Sequence, residues 1–189
     1  MNSEVVHEHR GRVLQGMALA VAARGYAETT IADIVREAGV SRRTFYEQFA
    51  GKAECLVALY EAASHNALKV LRDAIDPGHD WQQQVERALA AYLACMAANP
   101  VLMRTLFIEI LGLGPAGLAA RRRVNQEIAD YMLGVVNRGP AERVTPQLAM
   151  AVVGGIHELV LQAIEDGRVT ELAQLTATAT ALVRAVAHR

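Results

Sequence analysis

Arg42, Arg43, Thr44, Tyr46 and Lys52 fall within eleven positions, directly after Gly39-Val40-Ser41. Side chains of these types grip phosphate and read base edges. Arg can bond the O6/N7 edge of guanine bidentately or hold a phosphate, and Thr can bond either or touch a thymine methyl. To act in this way they must stand on the first turns of a short helix. The free backbone N–H groups there add a further anion site, and such residues reach bases in a major groove.

The surrounding sequence predicts the elements that would position them. Thr30 has the character of a helix N-cap, and Asp33 three residues on completes a capping-box-like pair. Ile31, Ile34, Val35 and Ala38 form one apolar stripe of a 3.6-residue period. Gly39 can adopt the left-handed conformation that stops this helix, Val40 turns inward, and Ser41 caps a second, shorter one. In the second helix Phe45 and Phe49 share a face that can dock on the first. A turn this tight, with Gly in it, is the spacing of a helix-turn-helix. Ser41, Arg42, Arg43, Thr44, Tyr46 and Lys52 are therefore candidate DNA-binding residues. The competing reading is a buried helix pair whose arginines are merely solvated. The shared register of Gly39, Ser41 and the inward Val40/Phe45 pair counts against it.

From about Val13 to Tyr60 the chain resembles the DNA-binding domain of the TetR family of transcriptional regulators. The resemblance is carried by Gly25-Tyr26 with Thr29-Thr30, by Ile34-Val35 with Ala38-Gly39-Val40-Ser41, by Thr44-Phe45-Tyr46 with Phe49, and by Lys52 with Glu54. It implies that Thr30, Tyr46 and Lys52 hold phosphates while Arg42, Arg43 and Thr44 face bases or backbone. It also implies that the last two helices build a four-helix bundle with a symmetry mate. The chain departs from the family pattern at Val35, Glu47, Gln48 and Gly51. Glu47 places a negative charge on the DNA-facing helix. It either accepts from a cytosine N4 amine or points away from the duplex and pairs with Arg43 at i, i+4.

The net charge of −1 argues against indiscriminate nucleic-acid affinity, which scales with the phosphates neutralised. Residues 1–52 carry seven Arg/Lys against six Asp/Glu, so the basic character is confined to the cluster itself. That suits a sequence-specific regulator better than an architectural protein. At 52% hydrophobic and 5% aromatic residues, with no period-2 run of β-branched side chains, an all-α fold is expected. The two cysteines, Cys55 and Cys95, lack metal spacing and read as buried thiols in a reducing cytosol. The polar first ten residues exclude a signal peptide. No apolar run reaches the length that spans a membrane, so the expected location is cytoplasmic, without membrane attachment.

About nine helices account for the chain: a helix-turn-helix DNA-binding domain over 1–51 and a helical ligand-binding and dimerisation domain over 52–189. A helix over 52–75 links the two, and Pro77, Pro100, Pro115, Pro140 and Pro146 mark boundaries. The first helix is expected from about His9 to Arg24, and N-terminal disorder is the expected reading of His7-Glu8-His9. Residues 101–113 are apolar nearly all round and are expected to be buried. The final pair, about Pro146 to Asp166 and Thr170 to His188, has apolar faces broader than one chain covers. Gly154, His157, Leu161, Ile164, Leu175 and Leu182 are the candidate dimer-interface residues. Tyr92, Met96, Met103, Phe107, Glu109, Met150 and His157 are expected to line a small-molecule pocket, apolar with a few polar groups. Glu109 could instead be a core residue paired with Arg104.

Candidate catalytic chemistry is thin. His7-Glu8-His9 is too closely spaced for a zinc site alone, His157-Glu158 lacks a second His four residues on, and no phosphate loop or nucleophile elbow is present. Neither metal nor cofactor is expected, nor enzyme activity. The expected partners are double-stranded DNA with a near-palindromic operator, a second copy of the chain and an unknown small-molecule effector. The reading is a repressor released by that effector. The alternative is a helical, dimeric ligand-binding protein without DNA binding.

Overall fold

Two glycines in the left-handed region, Gly25 (φ 76°) and Gly39 (φ 61°), punctuate the N-terminal third. The computed structural model describes residues 3–138 and 144–187. Pro140 and His188 lie outside the described residues. Among the described residues there are nine α-helices, two short 3-10 helices and no strand. They are α1 (Ser3–Glu28, broken at Gly25), α2 (Ile31–Ala38), α3 (Arg42–Gln48), α4 (Lys52–Asp73) and α5 (Trp81–Ala97). Then follow α6 (Pro100–Phe107), a 3-10 segment (Glu109–Leu113), α7 (Pro115–Val136), α8 (Pro146–Glu165), a second 3-10 segment (Val169–Leu175) and α9 (Thr176–Ala187). The helix expected from about His9 begins earlier and takes in His7-Glu8-His9.

By compactness the described chain divides into two units, and not at the expected 51/52 boundary. The first comprises the residues up to Ala63 together with Val101–Arg121; the second comprises Ser64–Pro100 and the residues from Arg122 onward. Residues 101–121 join the first unit for a reason visible in its contacts. A carboxylate oxygen of Glu109 accepts the backbone N–H of Tyr26 at 3.0 Å, just after the Gly25 break, and Glu109 also pairs with Arg104 at 3.5 Å.

The core of the first unit is made by Val13, Met17 and Val21 of α1, Ile34 of α2, Phe45, Phe49 after α3, and Leu56 of α4, all buried. The guanidinium of Arg10 lies over the Phe49 ring, 4.6 Å from its centroid. The α1–α2 crossing depends on Gly16, because a Cβ there would lie 2.5 Å from the carbonyl oxygen of Ile34 and 2.7 Å from the Ala38 nitrogen. Cys55 is buried in this core, and desolvation pushes its thiol up to about 12, so it is an inert core residue. The expectation that 101–113 is buried all round fails. The helix stops at Phe107, and Val101 and Leu111 are 49% and 37% exposed.

In the second unit, Asp80 caps α5 and Thr145 caps α8 by accepting the N–H of the third helical residue. Leu93, Val160 and Leu172 are fully buried, with Val183 close behind. α8 and α9 cross where a Cβ on Gly155 would be 3.4 Å from a Leu182 methyl. The single final helix expected from about Thr170 begins instead as the 3-10 segment, so Leu175 sits on that segment. α8 bears on the membrane expectation. By length and mean hydropathy (1.4) it is apolar enough to cross a bilayer. Ala, Gly and Val raise its average without an unbroken apolar run, and the core helix of a globular domain meets the same criterion.

Candidate functional site

The capping box forms. Asp33 N–H donates to Thr30 Oγ1 at 3.2 Å, while Thr30 N and Oγ1 donate to Asp33 Oδ2 at 3.0 and 2.6 Å. These bonds, led by the Thr30 hydroxyl and backbone and supported by Arg36 and Arg24, lower the Asp33 carboxyl to about 2 against the opposing effect of burial. The other end of α2 is closed by Gly39, and Arg12 donates to the carbonyls of Ala38 and Gly39 at 3.1 and 2.6 Å. Neither Arg12 nor Gly16 was singled out from the sequence. The glycine interrupting an otherwise helical stripe was the available signal.

Ser41 caps α3, accepting the Thr44 N–H at 3.0 Å, and the two hydroxyl oxygens lie 2.9 Å apart. Phe45 is fully buried, so it anchors α3 inward. Ser41, Arg42, Arg43 and Tyr46 stand exposed on the opposite side, with Thr44 half-buried. Tyr46 is 57% exposed and meets Phe45 edge-to-face at 5.5 Å, which fixes its ring direction. Arg43 Nε bonds a Glu47 carboxylate oxygen at 3.0 Å, which realises the i, i+4 alternative for Glu47. Among the described residues Arg42 pairs with no carboxylate. The arrangement offers one helix N-terminus, two guanidinium groups, a hydroxyl and a phenol on one solvent face. That is a set for anions and base edges.

Lys52 lies differently from the rest of the set. Its ammonium donates to the carbonyls of Tyr26, Ala27 and Thr29 at 2.9, 3.2 and 2.8 Å and sits 4.4 Å from the centre of the Tyr26 ring. An ammonium has three N–H donors, and each has a backbone acceptor here. The side chain thus ties the start of α4 to the stretch of α1 after the Gly25 break and to the approach to Thr30.

Residues 18–59 match the family described as bacterial regulatory proteins, tetR family. Residues 18–59 are a tetR-family domain. A curated relative, the uncharacterized HTH-type transcriptional regulator YxbF of Bacillus subtilis (strain 168), is 31% identical over 77 residues, 41% of this chain. The chain spans about a fifth (20%) of that relative's length. Among solved structures, the fatty acid degradation regulator FadR of Bacillus halodurans superimposes with a TM-score of 0.80 at 15% identity, over 92% of this chain and 93% of its own. FadR of Bacillus subtilis, in complex with stearoyl-CoA, gives 0.82 at 16% identity, over 94% and 99%. A TetR-like transcriptional regulator from Rhodococcus sp. RHA1 gives 0.71 at 20%, over 96% and 97%. At these identities the structures establish a shared fold.

Beyond the tetR-family domain the expected pocket residues are divided. Met103, Phe107 and Glu109 belong to the first unit, where Glu109 takes the core role beside Arg104 and Tyr26. Tyr92, Met96, Met150 and His157 belong to the second. There His157 Nε2 and the Tyr92 hydroxyl are 3.1 Å apart in a buried pair. None of the seven lines the cavity that the second unit contains. That cavity, of about 60 Å³, is walled by Leu71 of α4, Val85 and Leu89 of α5, Ile128 and Tyr131 of α7, Val153 and Ile156 of α8, and Val183 of α9, among others. It arises where branched side chains from five helices meet without filling the centre, which no single stretch of sequence records. Of the expected dimer residues, Gly154, Leu161, Ile164, Leu175 and Leu182 are half-buried. His157 is 7% exposed and already bonded inside its own chain, so it is an internal residue. No group of His, Cys, Asp and Glu able to hold a metal occurs among the described residues.

Proposed function

We propose that this chain is a transcriptional repressor that binds a near-palindromic double-stranded DNA site as a homodimer and is released by a small molecule. The observation that carries the reading is the solvent face of α3. Ser41, Arg42, Arg43 and Tyr46 are exposed around a helix N-terminus while Phe45 locks the helix from behind. In this reading Thr30 and Tyr46 position the duplex through phosphates, and Arg42, Arg43 and Thr44 read base edges. The working site is the chromosome, hence the cytoplasm.

Dimerisation is supported by α8, whose apolar 18-residue window is only 44% buried in one chain. Half-buried Gly154, Leu161 and Ile164 are available to a second copy. Two tetR-family domains would then sit about 34–36 Å apart, one DNA turn. The effector reading rests on the apolar cavity. Leu71, near the end of α4, lines it, and Lys52 opens the same helix. An effector that binds one arrangement of α4 better than another changes operator affinity by its differential affinity alone. A coupling of about 1–3 kcal/mol corresponds to roughly 5- to 150-fold.

The test is selection from a pool of random double-stranded oligonucleotides with the purified chain. An enriched palindrome with half-site centres about 10–10.5 base pairs apart is expected. Leu161→Glu, which places a charge in the proposed seam, should sediment as a monomer and lose the enriched site. A pool that stays random after selection would overturn the proposal.

A further inference from the structure

The second unit's cavity has two sides of opposite electrostatic character. On one side stands Tyr131, a cavity-lining residue of α7, with the Arg72 guanidinium 5.5 Å from its ring centre. Arg138, two turns further along the chain from Tyr131, donates to the Gly134 carbonyl at 3.2 Å. It also reaches Gln84 Oε1 at 3.5 Å, beside cavity-lining Val85. Among the described residues neither Arg72 nor Arg138 pairs with a carboxylate, and no hydrogen bond reaches the Tyr131 hydroxyl. Burial raises the Tyr131 phenol, and Arg138 and Arg72 oppose that rise, with Asp73 a lesser influence in the other direction. Asp73 itself is engaged by Lys69.

On the other side, Ile75 is shared between the cavity and an open cleft of about 530 Å³ that Asp73, Asp76 and Arg87 line. Asp76 meets His79 at 3.0 Å and Arg87 at 3.8 Å there. An anion at that mouth would face Asp73 and Asp76 with Arg87 beside them; on the Tyr131 side it would face the Arg72 and Arg138 guanidinium groups, which pair with no carboxylate among the described residues. Between the two mouths the wall is hydrocarbon, so it takes an apolar body and rejects a buried charge. About 60 Å³ is room for roughly four or five water-sized spheres. That suits a short chain rather than a ring system.

We infer that the effector is an aliphatic carboxylate, its chain in the apolar cavity and its carboxylate on Arg72 and Arg138 over the Tyr131 ring. This rests on the reading of the cavity as the effector site. Arg72 supplies a planar fork matched to a carboxylate, and Tyr131 an additional donor. Specificity divides accordingly, with chain length and branching judged by the cavity and charge sign by the rim.

The experiment compares hexanoate, hexan-1-ol and hexylamine with the full chain, by calorimetric titration and by melting temperature. Hexanoate should bind about tenfold tighter than hexan-1-ol, with the advantage shrinking as salt rises, and hexylamine weakest. The exposed double variant Arg72→Gln/Arg138→Gln should fold as the parent does and bind hexanoate and hexan-1-ol alike. Equal binding of acid and alcohol to the parent, or preference for hexylamine, would overturn the carboxylate and leave the cavity standing. If none of the three binds or raises the melting temperature, the cavity is not an effector site, and the reading beneath this inference falls with it.

Discussion

Replacing Lys52 by Met separates two roles that its position leaves in competition. Met keeps the apolar stem of the side chain and removes the ammonium. Three backbone carbonyls lose this donor; Tyr26 O keeps the Thr29 N–H at 3.3 Å, Ala27 O is exposed, and the part-buried Thr29 O is left without it. An unpaired, partly buried acceptor costs about 1–3 kcal/mol. The lost contact with the Tyr26 ring, 4.4 Å away, adds about 0.5–1 kcal/mol. Water reaches the exposed Ala27 carbonyl, so a loss of about 2–3 kcal/mol is expected. In a chain of this size that lowers the melting midpoint by roughly 4–12 °C. A phosphate contact would leave a different trace: unchanged stability, and a salt dependence of DNA affinity shallower by about one charge. The assay is therefore paired, thermal melting of the free protein and anisotropy titration with the selected DNA across salt concentrations. Melting like the parent together with a shallower salt slope would refute the internal tie and return Lys52 to the phosphate-binding set.

Three further outcomes follow from the same geometry. Glu47→Gln frees the Arg43 guanidinium and removes an anion from the reading face, so DNA affinity should rise about two- to threefold at low salt and less at high salt. An anisotropy curve superimposable on the parent's would place that pair off the duplex. Gly16→Ala puts a methyl 2.5 Å from the Ile34 carbonyl. It should cost about 1–3 kcal/mol by denaturant midpoint, and a raised midpoint, as helix propensity alone would give, would contradict the close crossing. The folded-state carboxyl of Asp33 lies at about 2, below its usual 3.8. Its contribution is thus complete above about pH 4 and lost as pH falls toward 2. Asp33→Asn should flatten the acid dependence of stability in that window, and an unaltered dependence would show that the capping box does not supply it.

The sequence by itself determined the features whose partners are close along the chain. Thr30 and Asp33 are three residues apart, Ser41 and the N–H it caps at Thr44 three, Arg43 and Glu47 four, and each of these contacts forms. Gly39 needs no partner to require its conformation, so the helix-turn-helix and the all-helical fold class were legible from local patterning. The Glu47 pairing with Arg43 was left open, because i, i+4 spacing permits a contact without excluding a base. Other features were settled only in the folded molecule. Lys52 reaches carbonyls 23 to 26 residues away and Glu109 reaches a nitrogen 83 residues away. Residue type announces a charge or a carboxylate but not which distant backbone group will be left over for it. The 3-10 start of the last helical stretch and the exposure of Val101 and Leu111 belong to the same class, since tertiary contacts override a local apolar period. The cavity is the extreme case. Most residues in its wall are ordinary core side chains on apolar helix stripes, and the void exists because five helix segments converge with too little volume to fill the centre.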